Sequence, residues 1–206
     1  DLPCMDNDDY RRGRLTNHKV YGEAGAVLAG DALLTAAFGQ LSASELPAER
    51  IVRAVGVLCE CAGELGMVGG QTLDMAAERR LCTEREVYDI QSRKTGALIA
   101  AACRLGVCAA GGSEQQERDA AEYADAVGLA FQIEDDILDV TGDAKKLGKA
   151  TGMDGDKKNT FVRLYGVERC REMIEAQTLR ALKALENYEN TEFLSELALS
   201  LKSRES

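Results

Sequence analysis

The stretch Gly128-Leu-Ala-Phe-Gln-Ile-Glu-Asp-Asp-Ile-Leu-Asp139 sets Asp135, Asp136 and Asp139 among residues apolar enough to be buried. On a helix turning about 100° per residue, Gly128, Gln132, Asp135, Asp136 and Asp139, with Asp125 one turn earlier, share an arc of about 100°. The rest of the circumference holds Val127, Leu129, Ala130, Phe131, Ile133, Ile137, Leu138 and Val140, broken only by Glu134. Carboxylates at i,i+4 spacing repel one another, and each desolvated charge costs several kcal/mol unless a cation compensates it. Hard oxygen donors at this spacing suit magnesium, which is commonly held by one or two carboxylates together with substrate phosphates. The same Asp-Asp-x-x-Asp pattern is ordinary on a solvated helix face; the apolar setting is what points to a metal.

A second acidic cluster opens the chain, Asp1-Leu-Pro-Cys-Met-Asp6-Asn-Asp8-Asp9, with Arg11-Arg12-Gly13 directly after it. Two such clusters facing each other across a cavity would grip a polyphosphate through shared metals, with the arginines taking outer oxygens in bidentate fashion. Further along, Gly148-Lys149-Ala-Thr-Gly152-Met-Asp154-Gly-Asp-Lys157-Lys158-Asn-Thr160-Phe161 reads equally, in isolation, as a phosphate loop or as an exposed connector. In the first reading its glycines let backbone amides approach an anion, and Lys149 supplies a mobile point charge. Lys94-Thr95 opens a run of small residues, which reads either as an inward ammonium and hydroxyl or, as is commoner for a single Lys, as a surface placement. Gly69-Gly70-Gln71-x-x-Asp74 reads equally as a polar patch in a cavity wall or as a packing joint. His18, the only histidine, reads as a local structural group, which excludes Ser-His-Asp or Cys-His catalysis built on any other histidine.

The elements that must carry these groups are helices. Val20 to Leu41 is rich in Ala, Leu and Gly, and residues 42–47 close it and offer caps to a helix from Ala48 to about Gly66. Thr83-Glu-Arg-Glu86 and Ser113-Glu-Gln-Gln116 both match capping boxes. The first leads towards a small-residue helix ending at Gly111-Gly112, and the second launches the acidic stripe. Thr141 to Asp156 is a loop, and amphipathic helices over Glu168–Tyr188 and Thr191–Lys202 finish the chain. Strands find little support. The expectation is one all-α domain over residues 1–206, with a site built between facing helices.

Composition agrees. Of 206 residues, 45% are hydrophobic and 29% charged, ordinary values for a globular domain with a substantial core. The net charge of −10 argues against nucleic-acid binding, which needs a basic face. Only Pro3 and Pro47 occur, so nothing interrupts helices beyond Ala48. The seven irregularly spaced cysteines read as reduced core thiols of a cytosolic protein. There is no secretory signal, and no run approaches the ~18 consecutive apolar residues of a membrane span.

The ordered set Asp1-Leu-Pro-Cys-Met-Asp6, Arg11-Arg12-Gly13, His18-Lys19-x-x-Gly22-Glu23, Leu28-Ala-Gly-Asp31-Ala-Leu33, Gly69-Gly70-Gln71, Lys94-Thr95-Gly96, Phe131-Gln132-x-x-Asp135-Asp136-x-x-Asp139 and Gly148-Lys149 resembles the trans-type isoprenyl diphosphate synthases, the farnesyl and geranylgeranyl diphosphate synthase family. The resemblance spans essentially the whole chain. It implies an isoprenoid synthase-like bundle around a central cavity, a Mg2+ requirement, and condensation of isopentenyl diphosphate with an allylic diphosphate. It implies a cytoplasmic homodimer without stable membrane insertion.

By the match, Asp1, Asp6, Asp135, Asp136 and Asp139 belong to the metal motifs. Arg11, Lys94, Thr95, Gln132, Lys149 and Lys158 would hold the allylic diphosphate, and Arg12 would face isopentenyl diphosphate. Lys94, Thr95 and Lys149 are the residues expected to act at the reacting group. The chain departs from the pattern in beginning inside the first motif, without the aspartate expected before Asp1 and without the helices expected upstream. The Asp154–Lys158 spacing is one residue short, so Lys157 is an alternative to Lys158, and Phe161 stands where Tyr is usual. Two rival functions are a non-catalytic partner subunit of such a synthase and a terpene cyclase of the same fold.

Overall fold

The computed structural model describes residues 1–78, 80–141 and 159–201. A short hairpin comes first: β1 (Tyr10–Arg11) pairs antiparallel with β2 (Arg14–Leu15), Tyr10 opposite Leu15 and Arg11 opposite Arg14. Arg12 and Gly13 turn it, with φ of 51° and 71°. Positive φ at both central residues is what the type I′ form of a two-residue hairpin turn demands. This hairpin was not expected from the sequence, because two-residue strands carry no readable alternation.

Nine α-helices follow among the described residues: α1 (Asn17–Ser42), α2 (Ala48–Ala62), α3 (Met67–Ala77), α4 (Glu84–Gln91), α5 (Ala97–Ala110), α6 (Glu114–Thr141), α7 (Phe161–Tyr165), α8 (Val167–Leu185) and α9 (Glu192–Ser200). Between α4 and α5 the chain makes a π-helical turn, Ser92–Gly96. Both expected capping boxes form. The Thr83 hydroxyl accepts from the Glu86 amide while the Glu86 carboxylate accepts from the Thr83 amide; Ser113 and Gln116 exchange the same pair of bonds at 2.8 and 3.3 Å. Gly111, at φ 75°, ends α5 in the left-handed conformation that lets a helix close its last carbonyls.

Helix α6 is the axis of the bundle, packing chiefly on α8 and α5. Its buried side, Tyr123, Ala126, Val127, Ala130, Ile133 and Ile137, meets Phe161, Cys170, Ile174 and Ala181. Removing side chains as large as Ile133 or Phe161 from water is worth roughly 2–3 kcal/mol each. A smaller cluster, Val57, Cys61 and Ala101, joins α2 to α5.

The boundaries differ from expectation in two places. The second helix stops at Ala62, capped by Gly63, and not near Gly66. The first starts at Asn17, three residues earlier than read, and kinks at Gly22, where φ is 79°. Among the described residues, helix α1 meets a looser composition test for a membrane span, while the expectation that no unbroken apolar run of that length occurs stands. The helix is 26 residues long, and an 18-residue window reaches a mean hydropathy of 1.3 with none of it buried, enough by length and composition to cross a membrane. Asp31 and Thr35 interrupt the consecutive apolar run, which is why a search for unbroken stretches passes over it.

Candidate active site

The site is built where α6 meets the π-helical turn. A Cβ on Gly128 would lie 3.4 Å from the Gly96 Cα, so the two backbones approach to within one side-chain carbon of each other. Against the other side of the turn lies α3, where a Cβ on Gly70 would fall 2.2 Å from the Lys94 nitrogen and 2.7 Å from the Lys94 Cα. No side chain fits there. The turn carrying Lys94 and Thr95 is therefore held between two glycine contacts, and π bulges of this kind recur at functional sites because they redirect side chains out of helical register.

One turn beyond Gly70, Asp74 accepts a hydrogen bond from the Lys94 Nζ at 2.6 Å. The Gly-Gly-Gln-x-x-Asp segment is thus both things the sequence allowed: a packing joint through Gly70 and a polar patch through Asp74. Lys94 and Thr95 are half-buried. Nearby, a cleft of about 220 Å³ is lined by Gln91, Ser92, Gly96, Gly128, Gln132 and Gln177 among others. Gln91 leaves its buried Oε1 without a hydrogen-bond partner, an acceptor of the sort that a polar ligand or water satisfies.

The acidic stripe of α6 does not hold together as one face. Asp139 is exposed and Asp135 half-buried, but Asp136 is only 9% exposed, and its Oδ2 accepts the backbone N–H of Phe161 at 2.7 Å. Asp136 thus departs from the expectation that it lies with the other two on an open metal-binding face. It stands at the edge of the arc, and the packing of α7 and α8 on α6 turns that edge inward. Asp125 is answered from the protein side: Arg180 of α8 reaches its Oδ2 at 2.8 Å and also grips Glu122. The Glu122 hydrogen bond leads in raising the Arg180 pKa, with Asp125 adding to it. Glu134, read as a break in the apolar side, is buried there.

The N-terminal cluster has its own geometry. The Leu2 carbonyl accepts the amides of Met5 and Asn7 at 2.9 and 3.0 Å, folding the chain back on itself. Carboxylate oxygens of Asp1, Asp6 and Asp8 consequently lie within 4.8 Å of one another, all on exposed residues. Arg11 donates to Asp1 at 3.2 Å, and Arg12 sits exposed at the tip of the hairpin turn. The hairpin is tied back to α1 through Thr16, whose hydroxyl donates to the Asp8 carbonyl at 2.8 Å and lies 3.2 Å from His18 Nδ1. His18 is buried in that contact, in keeping with a structural role.

Sequence reasoning left Asp8 out of the site and did not name the partner of Asp74. Asp8 joins Asp1 and Asp6, and its only signal was membership of the same acidic run. Asp74 pairs with Lys94 across a gap that no local pattern reports. Lys149 and Lys158, with Gly148 and Lys157, lie outside the described residues.

Cysteine chemistry has no place in this site. All seven cysteines are free thiols. Burial pushes the Cys170 thiol up to about 11, with the neighbouring Asp136 charge adding to the effect. Burial also raises Cys61, although Arg104 pulls the other way. None of these shifts makes a thiolate nucleophile at neutral pH.

Helical bundles with a glycine-packed polar cleft and acidic clusters of this kind form a recognisable class, and comparison with known proteins identifies it. The polyprenyl synthetase family model matches residues 1–198, and the chain belongs to that family. It is 48% identical over 183 residues to geranylgeranyl pyrophosphate synthase 3, chloroplastic, of Arabidopsis thaliana, covering 85% of this chain and 51% of that protein. Against farnesyl diphosphate synthase of Bacillus subtilis it is 41% identical over 189 residues, 90% of this chain and 64% of that one. The chain thus spans about half the length of the plant relative and under two thirds of the bacterial one. Among solved structures, an FPP/GFPP synthase from Zymomonas mobilis superposes with a TM-score of 0.87 at 34% identity, over 97% of this chain and 69% of that one. A geranyltransferase from Helicobacter pylori, complexed with magnesium and isoprenyl diphosphate, gives 0.84 at 36%, over 97% and 66%. The fold is that of the isoprenoid synthases.

Proposed function

We propose that the chain forms the allylic-diphosphate side of a magnesium-dependent trans-prenyltransferase that joins isopentenyl diphosphate to an allylic diphosphate, giving farnesyl or geranylgeranyl diphosphate. The observation that carries this reading is the glycine-on-glycine contact of α6 with the π-helical turn, which sets the helix of Gln132 and Asp135 against the turn of Lys94 and Thr95. The relatives' activities, and the magnesium and isoprenyl diphosphate of the Helicobacter protein, support it.

The donor set suits the metal. Asp1, Asp6 and Asp8 converge as hard carboxylate oxygens, and Asp135 and Asp139 add a second pair on α6. Bound magnesium would supply positive charge that stabilises a departing diphosphate. The protein's own groups do the rest. Lys94 exchanges Asp74 for a phosphate oxygen as a point charge, Thr95 and Gln132 offer neutral donors beside it, and Arg11 takes outer oxygens. Lys149 and Lys158 would add further cations to the same oxygens, and Arg12 is assigned to isopentenyl diphosphate. In the reaction the allylic C–O bond breaks with its electron pair leaving on diphosphate. The isopentenyl double bond supplies the new C–C bond, and the proton then lost passes to diphosphate.

The test is elongation by the complete protein in the presence of magnesium, isopentenyl diphosphate and dimethylallyl or geranyl diphosphate. Accumulation of farnesyl or geranylgeranyl diphosphate is expected. Absence of any elongated product overturns the reading in favour of a non-catalytic partner subunit. We assign the homodimer to the exposed apolar helix α1, to be checked by sedimentation of the complete protein; a monomer at micromolar concentration removes that assignment. The free thiols support a reducing compartment such as the cytoplasm.

A further inference from the structure

Asp135, Asp136 and Asp139 are chemically alike in sequence, yet the fold gives Asp136 a different task. We infer that Asp136 is a positioning residue that locks the segment 159–161 to α6, and that it is not a metal ligand. The inference rests on the prenyltransferase reading only for its kinetic consequences.

Three observations converge on this. The Asp136 carboxylate is buried and takes the Phe161 amide at 2.7 Å, a charge-assisted bond of the stronger kind. Phe161 is itself fully buried, its ring edge-on to Tyr88 at 5.0 Å between centroids, so the amide has a fixed position that the carboxylate must meet.

Two residues earlier, Asn159 fills every hydrogen-bonding position its side chain owns. Its Oδ1 accepts from the Cys82 amide at 2.8 Å and from Arg163 at 3.1 Å, and its Nδ2 donates to the Ala77 and Arg80 carbonyls at 3.0 and 2.9 Å. Asn159 pins the segment to the α3–α4 connection, and Asp136 pins it to α6. Between them Thr160 accepts from the Arg163 amide at 3.2 Å, starting α7.

One functional consequence follows. On α6, Asp135 and Asp136 differ by about 100° in direction. Anchoring Asp136 inward therefore fixes the rotation that leaves Asp135 and Asp139 on the more open side.

The experiment compares Asp136→Ala, Asp136→Asn and Asp135→Asn in the complete protein. An asparagine at 136 keeps a carbonyl oxygen for the Phe161 amide but is a far poorer magnesium ligand. For Asp136→Ala we expect faster hydrogen exchange at the Phe161 amide, a melting temperature lower by about 5 °C, and a raised KM for the allylic diphosphate. Asp136→Asn should restore all three and keep half-saturating magnesium within about twofold of the unsubstituted protein, whereas Asp135→Asn shifts it by about tenfold or more.

The inference is overturned if Asp136→Asn shifts the magnesium requirement as far as Asp135→Asn does, or if Asp136→Ala leaves Phe161 exchange unchanged. Should the alanine variant not fold, Asp136→Asn decides alone, by its magnesium titration and its Phe161 exchange. If the complete protein elongates nothing, the prenyltransferase reading fails, while exchange and melting still test the clamp.

Discussion

The two acidic motifs meet opposite physical conditions. The N-terminal one lies on exposed chain, brought together by a turn around the Leu2 carbonyl and braced by one arginine. The α6 motif lies on the most buried helix of the bundle, where rotation about the axis decides which acid meets solvent and which meets protein. Exposed carboxylates cost little to assemble and can be drawn into place by their ligand. A buried one must be matched in advance: Asp136 is met by the Phe161 amide, whereas Asp125, exposed on the same helix, pairs with Arg180 at the surface. Identical residues in a motif therefore divide their roles where the helix is buried and share them where it is not.

The strongest way to break this contrast is to remove one acid from each motif. Asp135→Asn should lower kcat by about 100-fold or more, the scale seen when a group stabilising transition-state charge is lost. Asp8→Asn, in the exposed cluster with neighbouring donors still present, should lower it by about tenfold or less. Steady-state rates at saturating magnesium decide the matter. Equal losses would mean that both motifs are equally preorganised. Neither substitution should shift the melting temperature by more than about 2 °C, since neither residue is a packed core group.

The glycine joints test the buried side from another direction. Gly70→Ala would drive a methyl into the Lys94 backbone, and overpacking of that kind costs typically 1–3 kcal/mol. A fall in melting temperature of about 3–10 °C is expected, together with lost activity, because the displaced turn carries Lys94 and Thr95. Gly30→Ala is the control: a Cβ on Gly30 meets nothing within 4 Å in α1, so its stability should be unchanged or slightly raised. Thermal melts of the two variants side by side check the prediction.

Asp74→Asn sharpens the comparison at smaller scale. Its ion pair with Lys94 is about one-third exposed on each side, and exposed pairs contribute about 0–1 kcal/mol. Stability should barely move. Lys94 loses the partner that aims it, so KM for the allylic diphosphate should change by severalfold, about 3–10-fold, with a smaller change in kcat. A variant with normal KM would show that Asp74 serves only the resting state.

These contrasts also explain what was legible in the sequence. Both capping boxes and the helical class could be read because caps and amphipathic spacing are local. The site's main residues could be named because their types and order carry the resemblance. Three features could not be read. The π-helical turn at Ser92–Gly96 has no propensity signature, and the close approach of Gly70 to its Lys94 backbone is a long-range contact. Asp136 was placed with its neighbours because a 3.6-residue period says which residues share an arc and not where the arc's edge meets another helix. The Lys94–Asp74 pair and the Asn159 clasp join residues 20 and up to 82 positions apart, beyond any local pattern.

The smallest expected effect concerns the core beside α6. Cys170 is fully buried, and its thiol is pushed up from 9.0 to about 11. The folded protein therefore keeps this proton over a pH range in which the unfolded chain has already lost it. Stability from this group is fully present below pH 9 and declines as pH rises towards 11, because the unfolded state then binds fewer protons than the native one. Urea midpoints measured from pH 8 to 10.5 should fall with pH, and Cys170→Ala should be less stable throughout yet show a shallower fall. Cys59 is exposed and ought to react with a thiol reagent at pH 8 while Cys170 reacts only as fast as the protein opens. Equal labelling rates would mean that the packing of α8 on α6 is looser than the buried Asp136 contact requires, and would remove the physical basis for treating the two acidic motifs differently.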